Sequence, residues 1–327
     1  MLWTLLLSCA MVAQSVGDAP DPGDSTTIEV EIPQGTNPRG LGPILEQAGA
    51  VDDGDDFTLY VRLTGEGSCL KAGRHRVRRN MRAKEVLEVL CGPPLAEDVP
   101  FVVIEGWRIR EIDHALAEKG WTLPGEYARL AAQPALFSAA FPLPSISLEG
   151  YLYPETYAVD PARFTARGFI QRQLDTFAVQ FWVPETRAGR RLTKRTLHQI
   201  VTMASMIVRE EPTASQRPMV AGILWKRLDK PGWNLGVDAT SRYTLPKWND
   251  RSAFLKRLRD KSDPYNTRHR PGLPPTPIGN PDLSSLQASM APEKSRFWFY
   301  LHDHQRILRP SVNAAGHEAK RRKYNVH

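Results

Sequence analysis

Glu210 and Glu211 are the side chains best placed to do chemistry. They close a helical run, Leu197, Ile200, Val201, Ala204 and Val208, and Pro212 follows at once, so one or both carboxyls lie at a helix C-terminus. The carbonyl end of a helix carries partial negative charge and disfavours another. An adjacent like charge and partial burial act in the same direction, so a carboxyl here stays protonated towards the pH at which a general acid works. The plain alternative is a frayed surface helix end with two solvated acids. His302, Asp303 and His304 form a second cluster of chemistry-bearing types. On a strand only His302 and His304 share a face, and no third ligand is offered, so neither a metal nor another cofactor is expected.

The elements that must carry these residues are read from periodicity. Ile28, Val30 and Ile32 alternate with Glu29 and Glu31 as in a strand, and Leu41, Ile44, Leu45 and Ala48 fall at helical spacing. Phe57 to Leu63 fits either a strand or a short helix. Val86, Leu87 and Leu90 give a helix closed by Gly92 and Pro93, and Phe101 to Ile104 reads as a buried strand. Beyond Gly106 helical faces dominate: Ile109, Ile112 and Leu116, then Phe169, Ile170, Leu174, Phe177 and Phe181, then the run ending at Glu210. A further helix carries Val220, Ile223, Leu224 and Leu228, with Pro218 tolerated in its first turn. Residues 265–281 are too rich in Pro and Gly for regular structure and predict a rigid loop. The fold class is α+β, a small unit followed by a larger mixed α/β one. The divisions expected are an export segment or short anchor over 1–17, a linker over 18–26, a small domain over 27–100 and a larger one over 101–327.

Composition narrows the function classes. With 327 residues, 41% hydrophobic residues and three cysteines, the chain is neither disordered nor a disulfide-dense miniprotein, and it lacks the runs of roughly 20 apolar residues of a multi-pass membrane protein. Leu2 to Val12 has the length of a signal-peptide apolar core, followed by small residues at Ala13 and Ser15. This predicts export to the periplasm or cell envelope, with membrane contact only through the segment if it is retained. In such a compartment Cys69 and Cys91 either pair as a disulfide or stay as buried thiols. Charge is segregated: Asp18 to Asp56 holds ten acids and one base, whereas Lys71 to Lys84 holds seven bases and no acid. Attraction to a polyanion is one reading of the basic run, and a solvated strand and turn is the other. No aromatic interleaves the run as stacking on bases requires, so no nucleic-acid partner is expected.

Five ordered strings sharpen the reading: FVVIEGWRIREIDHALAEKG at 101–120, LEGYLYPETY at 148–157, MASMIVREEPTASQRPMVAGILWKRL at 203–228, LGVDATSRY at 235–243 and YNTRHRPGLPPTPIGNP at 265–281. In these the chain resembles the endolytic murein transglycosylase family, the YceG-like proteins, from about residue 28 to the C-terminus. The resemblance implies a LysM-like small domain and an endolytic lytic transglycosylase that cleaves the MurNAc–GlcNAc bond of peptidoglycan without water, leaving 1,6-anhydroMurNAc ends and terminating nascent strands. It implies glycan strands as substrate and wall synthases as partners. The family's catalytic Glu falls on Glu210. Groove residues implied with it are Glu149, Tyr151, Glu155 and Tyr157, then Asp238, Thr240 and Tyr243, then Tyr265, Asn266 and Thr267. For Tyr151 and Tyr157 the alternative is core packing with a satisfied hydroxyl. The chain departs from the family's pattern at Val208, where an acid is frequent, at Glu211, where a small hydroxylated residue is common, at Gly236, where Gln is common, and at Pro275, Thr276 and Pro277, where the family has Gly between the prolines and Ile. His317, in the final helix, reads as structural or exposed rather than catalytic.

One acid and base suffices for lytic chemistry, whereas hydrolysis of a glycoside generally uses two carboxyls. Other readings remain open: a hydrolytic muramidase on the same Glu, an inactive wall-binding or scaffold protein, and a nucleic-acid binder built on the basic run.

Overall fold

The computed structural model describes residues 19–95, 98–187 and 195–326. The expected export segment lies outside them. Among the described residues no helix is long and apolar enough to cross a membrane. Contacts divide the chain into two units, Met1–Asp98 and Val99–His327. The division falls two residues before the expected one because strand β3 belongs to the second unit.

In the first unit strand β1 (Thr27–Ile32) pairs antiparallel with β2 (Gly73–Arg78). Between them run helices α1 (Pro38–Gln47) and α2 (Gly54–Thr64), and α3 (Ala83–Cys91) follows. The ambiguous stretch Phe57 to Leu63 is helical because its ends are fixed by side chains that favour a helix. Asp53 caps the start, accepting from the amides of Asp55 and Asp56 at 2.8 and 2.9 Å, and Gly65 ends it at φ 72°. Phe57 and Val61, one turn apart, are then both buried. Helices α1 and α2 meet at two glycines: a Cβ on Gly42 would lie 2.0 Å from the Gly54 carbonyl oxygen.

The segregated charges meet across the sheet. Arg76 pairs with Glu29 at 2.6 Å and Arg79 with Asp24 at 3.8 Å, so part of the basic run is neutralised by the acidic segment. The expected linker is thereby tied down over 19–26, where the Asp21 amide also bonds the Arg79 carbonyl at 3.2 Å. Such exposed pairs add little stability.

Cys69 and Cys91 are joined, their Cα atoms 5.0 Å apart and 22 residues apart in sequence. Closing a loop of 22 residues removes unfolded-state freedom worth about 3 kcal/mol. The expected outcome of replacing both cysteines by serine is a loss of about that size, read as a lower urea midpoint by circular dichroism. Identical midpoints for wild type with and without dithiothreitol would mean that the thiols are not joined in the folded protein.

The second unit is mixed α/β. Strands β3 (Val99–Val102) and β4 (Thr156–Val159) pair antiparallel with Phe101 opposite Tyr157. Helix α4 (Ile109–Glu118) buries Ile109, Ile112 and Leu116, and α5 (Glu126–Ala131) packs beside it. Helix α6 (Ala166–Phe177) buries Phe169, Ile170, Leu174 and Phe177, and a π turn over Ala178–Trp182 carries its face on to Phe181. At the centre α7 (Leu197–Glu210) and α8 (Arg217–Asp229) pack with α11 (Leu283–Met290). Two helices, α9 (Asp238–Tyr243) and α10 (Arg251–Arg259), precede the 265–281 loop. That loop is irregular but anchored, since Asn266, Thr267, Thr276, Ile278 and Asn280 are all buried. The chain ends in isolated bridges, Phe299 with Ser311 and His302 with Leu308, and helix α12 (Ala314–Lys323).

Candidate active site

Helix α7 is well defined at its start: Thr196 and Gln199 form a reciprocal capping box, each side chain bonding the other's amide. Its apolar face holds it against α11, which fixes where its last residue points. That residue is Glu210. The backbone then turns extended at Glu211, φ −127° and ψ 107°, so the two adjacent carboxyls diverge.

Glu210 turns towards a cavity of about 390 Å³ that Arg227, Trp233, Asp238, Tyr300 and His317 also line. Tyr300 donates its hydroxyl to Glu210 Oε2 at 2.8 Å. Burial pushes the Glu210 carboxyl above the usual carboxylate range, with the Asp238 charge acting the same way, against the Tyr300 hydrogen bond and an amide bond from Ala239. A buried carboxyl whose hold on its proton is raised in this way, facing a cavity, is suited to give that proton to an ether oxygen.

Glu211 goes inward and is 1% exposed. His302 Nε2 lies 2.9 Å from its Oε2, and the Thr213 amide donates to Oε1 at 2.8 Å. The HDH cluster is therefore spent on pairing: His302 with Glu211, and Asp303 with Arg309 at 2.8 Å.

Of the residues expected in the groove, only Glu210 and Asp238 share this cavity. Asp238 opens α9 and is held by Arg268 at 2.7 Å. The others have local reasons to be where they are. Tyr151 is buried, stacked on Phe141 and bonded to His198 Nδ1 at 3.1 Å. Tyr157 packs edge-on to Phe169 and donates to the Tyr153 carbonyl at 2.7 Å, as the core alternative for both tyrosines requires. Thr240 and Thr267 bond each other at 3.0 Å inside the protein. Asn266 donates to the carbonyls of Arg257, Leu258 and Asp260 and closes the end of α10. Tyr243 and Tyr265 pack together, centroids 4.8 Å apart. Tyr265 bonds Thr276, and Glu155 is exposed on a separate hollow of about 560 Å³.

Glu149 is a buried acid at the start of α4, not a wall of the cavity. It accepts from the Ile109 amide at 3.1 Å and from the Tyr243 hydroxyl at 3.1 Å. Burial pushes its carboxyl up to about 8. Below pH 4.5 folded and unfolded chains both hold the proton, whereas between there and about 8 only the folded chain does. Stability contributed by this group is thus full at low pH and is lost as pH rises towards 8, by on the order of a few kcal/mol. Glu149→Gln is expected to remove that slope from urea midpoints measured between about pH 5 and 8. Parallel curves for wild type and variant would refute the assignment.

Sequence reasoning missed Tyr300, Arg227, Trp233 and His317. Arg227 did leave a signal. It falls on the buried face of α8 with Val220 and Leu224, an unexpected place for a cation, and it donates to the carbonyls of Trp298 and Leu235 at 2.8 and 2.6 Å. His317 stands on α12 but lines the cavity instead of facing solvent. Gly236 also lines it, at φ 66° with open space where a Cβ would be.

A mixed α/β frame that presents a buried carboxyl of raised proton affinity at a helix end, beside an aromatic and cationic wall, defines an acid-bearing cleft. The chain belongs to the YceG-like family, whose sequence profile matches residues 30–323. It is 24% identical over 304 residues to the endolytic murein transglycosylase of Bacillus subtilis, covering 89% of this chain and 83% of that one. The endolytic murein transglycosylase of Streptococcus pneumoniae D39 is 22% identical over 310 residues, and the match takes in 86% of this chain but only 55% of the pneumococcal one. A YceG-like protein of Listeria monocytogenes, solved in a crystal at 2.6 Å, superposes with a TM-score of 0.58 at 25% identity, covering 90% of this chain and 99% of that one.

Proposed function

We propose that the protein is an endolytic lytic transglycosylase of peptidoglycan, a cell-wall lyase working without metal or cofactor, with Glu210 as its one acid and base. The observation that carries the reading is the Glu210 carboxyl at a helix end facing a cavity, pushed by burial above the usual carboxylate range. Glu210 gives its proton to the glycosidic oxygen as the bond to muramyl C1 breaks. The resulting carboxylate takes the proton of the C6 hydroxyl, whose oxygen closes on C1 to form the 1,6-anhydro ring. Proton and electron pairs balance with no water consumed. Tyr300 steadies the carboxyl through its hydrogen bond to Oε2. The names of the Bacillus and pneumococcal relatives support the same chemistry.

The strand–helix–helix–strand order of β1, α1, α2 and β2 supports a LysM-like role for the small unit, holding glycan. A place in the envelope, the ending of nascent strands and work alongside wall synthases belong to the same proposal. The hydrolytic alternative draws on Asp238, a second carboxylate in the cavity, but its ion pair with Arg268 occupies it. Mass spectrometry of fragments released from purified glycan strands separates the two. Anhydro ends, lighter by one water, are expected, and reducing ends would replace the lyase by a muramidase.

A further inference from the structure

The cavity holds one group that the acid and base steps do not use. His317 is half-buried, and its ring lies against Phe299 with centroids 5.3 Å apart and planes at 25°. Its Nδ1 is sealed inside the protein with no hydrogen-bond partner. Among the described residues Nε2 has no partner either, and it is the nitrogen left open on the cavity side.

This fixes where the proton sits. A buried N–H without an acceptor is costlier and rarer than an under-used acceptor, so Nδ1 carries the lone pair and Nε2 the hydrogen. The imidazolium would put an unanswered N–H at Nδ1. Burial, reinforced by the charges of Arg321 and Arg227, also favours the neutral ring. The cavity therefore presents an N–H donor next to an apolar wall, because Trp233 and Phe299 line it with ring centroids 5.9 Å apart. A ligand answering both features carries an oxygen acceptor and a small apolar group on one short substituent.

We propose that His317 is a positioning residue that reads the 2-acetamido group of the sugar bound beside Glu210. Nε2–H donates to the acetamido oxygen while the wall of Trp233 and Phe299 takes the methyl. The inference rests on the glycan reading above, and it adds which substituent is recognised and by which residue. It also assigns a task to the first turn of α12, which no sequence string marked.

The test is binding of short glycan strands by calorimetry in the Glu210→Gln background, which keeps the ligand intact. Each variant is titrated with N-acetylated strands and with the same strands de-N-acetylated. Phe at position 317 keeps a flat ring but removes the donor, and Gln restores an N–H near the Nε2 position. The expected result is that His317→Phe weakens binding of N-acetylated strands about tenfold. His317→Gln should recover most of it, and His317→Phe should bind de-N-acetylated strands as the parent does. An equal loss on both strands, or binding of neither by the parent, overturns the proposal. Wild-type protein is incubated with the same strands in parallel: coupling to the acetyl group without fragment release would remove the lyase reading and leave acetamido recognition standing.

Discussion

Glu210→Gln is expected to lower fragment release by roughly 10²–10⁴-fold, the usual worth of general acid and base work. The substitution keeps volume and an acceptor for the Tyr300 hydroxyl, so the fold and strand binding should survive and only the proton is lost. Glu211→Gln is the matched control. Its carboxylate faces His302 inside the protein, so cleavage should persist while thermal stability falls with the buried pair. The opposite pattern, activity lost at Glu211 and kept at Glu210, would sink the assignment. The pH dependence follows from the same contacts. Because burial raises the Glu210 carboxyl, the acid form persists above the usual carboxylate range, and activity should fall as pH rises through that raised value. The Tyr300 hydrogen bond works against the rise, so Tyr300→Phe should move the alkaline limb to higher pH.

How far this site was legible in the sequence depends on how far apart its parts lie along the chain. The end of α7 could be read because the pattern from Leu197 and the stop at Pro212 are local. The partner of Glu210 could not, since Tyr300 lies 90 residues further on and nothing near it marks an acid as its acceptor. Strings such as LEGYLYPETY and YNTRHRPGLPPTPIGNP were legible as important but not as structural. Tyr151, Tyr157 and Thr267 are buried and their hydroxyls are satisfied inside the protein, so most of each string holds the frame that carries Glu210, and of the two strings only Arg268 reaches its cavity. Phe57 to Leu63 is a smaller case of the same limit. Its side chains fit both periods, and the cap at Asp53 decided between them.

The second large effect follows from that role of the loop strings and falls on Asn280. Its side chain is fully buried, accepts from the amides of Gly150 and Leu152 at 2.9 and 3.0 Å, and donates to the Trp107 carbonyl at 2.9 Å. The backbone adds two more bonds to the turn before α4: the Gly106 amide to the Asn280 carbonyl at 2.7 Å and the Asn280 amide to the Trp107 carbonyl at 2.8 Å. The approach is close enough that a Cβ on the preceding Gly279, at φ 156°, would lie 2.3 Å from the Gly106 carbonyl oxygen. One amide side chain therefore joins three segments that are far apart in sequence. Asn280→Ala strips partners from two buried amides and leaves the Trp107 carbonyl with one bond fewer, at about 1–3 kcal/mol for each orphaned group. A total of about 3–5 kcal/mol should lower the Tm by roughly 10 °C for a unit of this size. Asn280→Asp should not rescue it, since the carboxylate keeps the two acceptor contacts but loses the donor and buries a charge. Below the lowered transition the variant should still release fragments, because Asn280 does not line the Glu210 cavity. A Tm within about 3 °C of wild type would mean that water or a backbone shift replaces the side chain, and that the three segments are held by their backbone bonds alone.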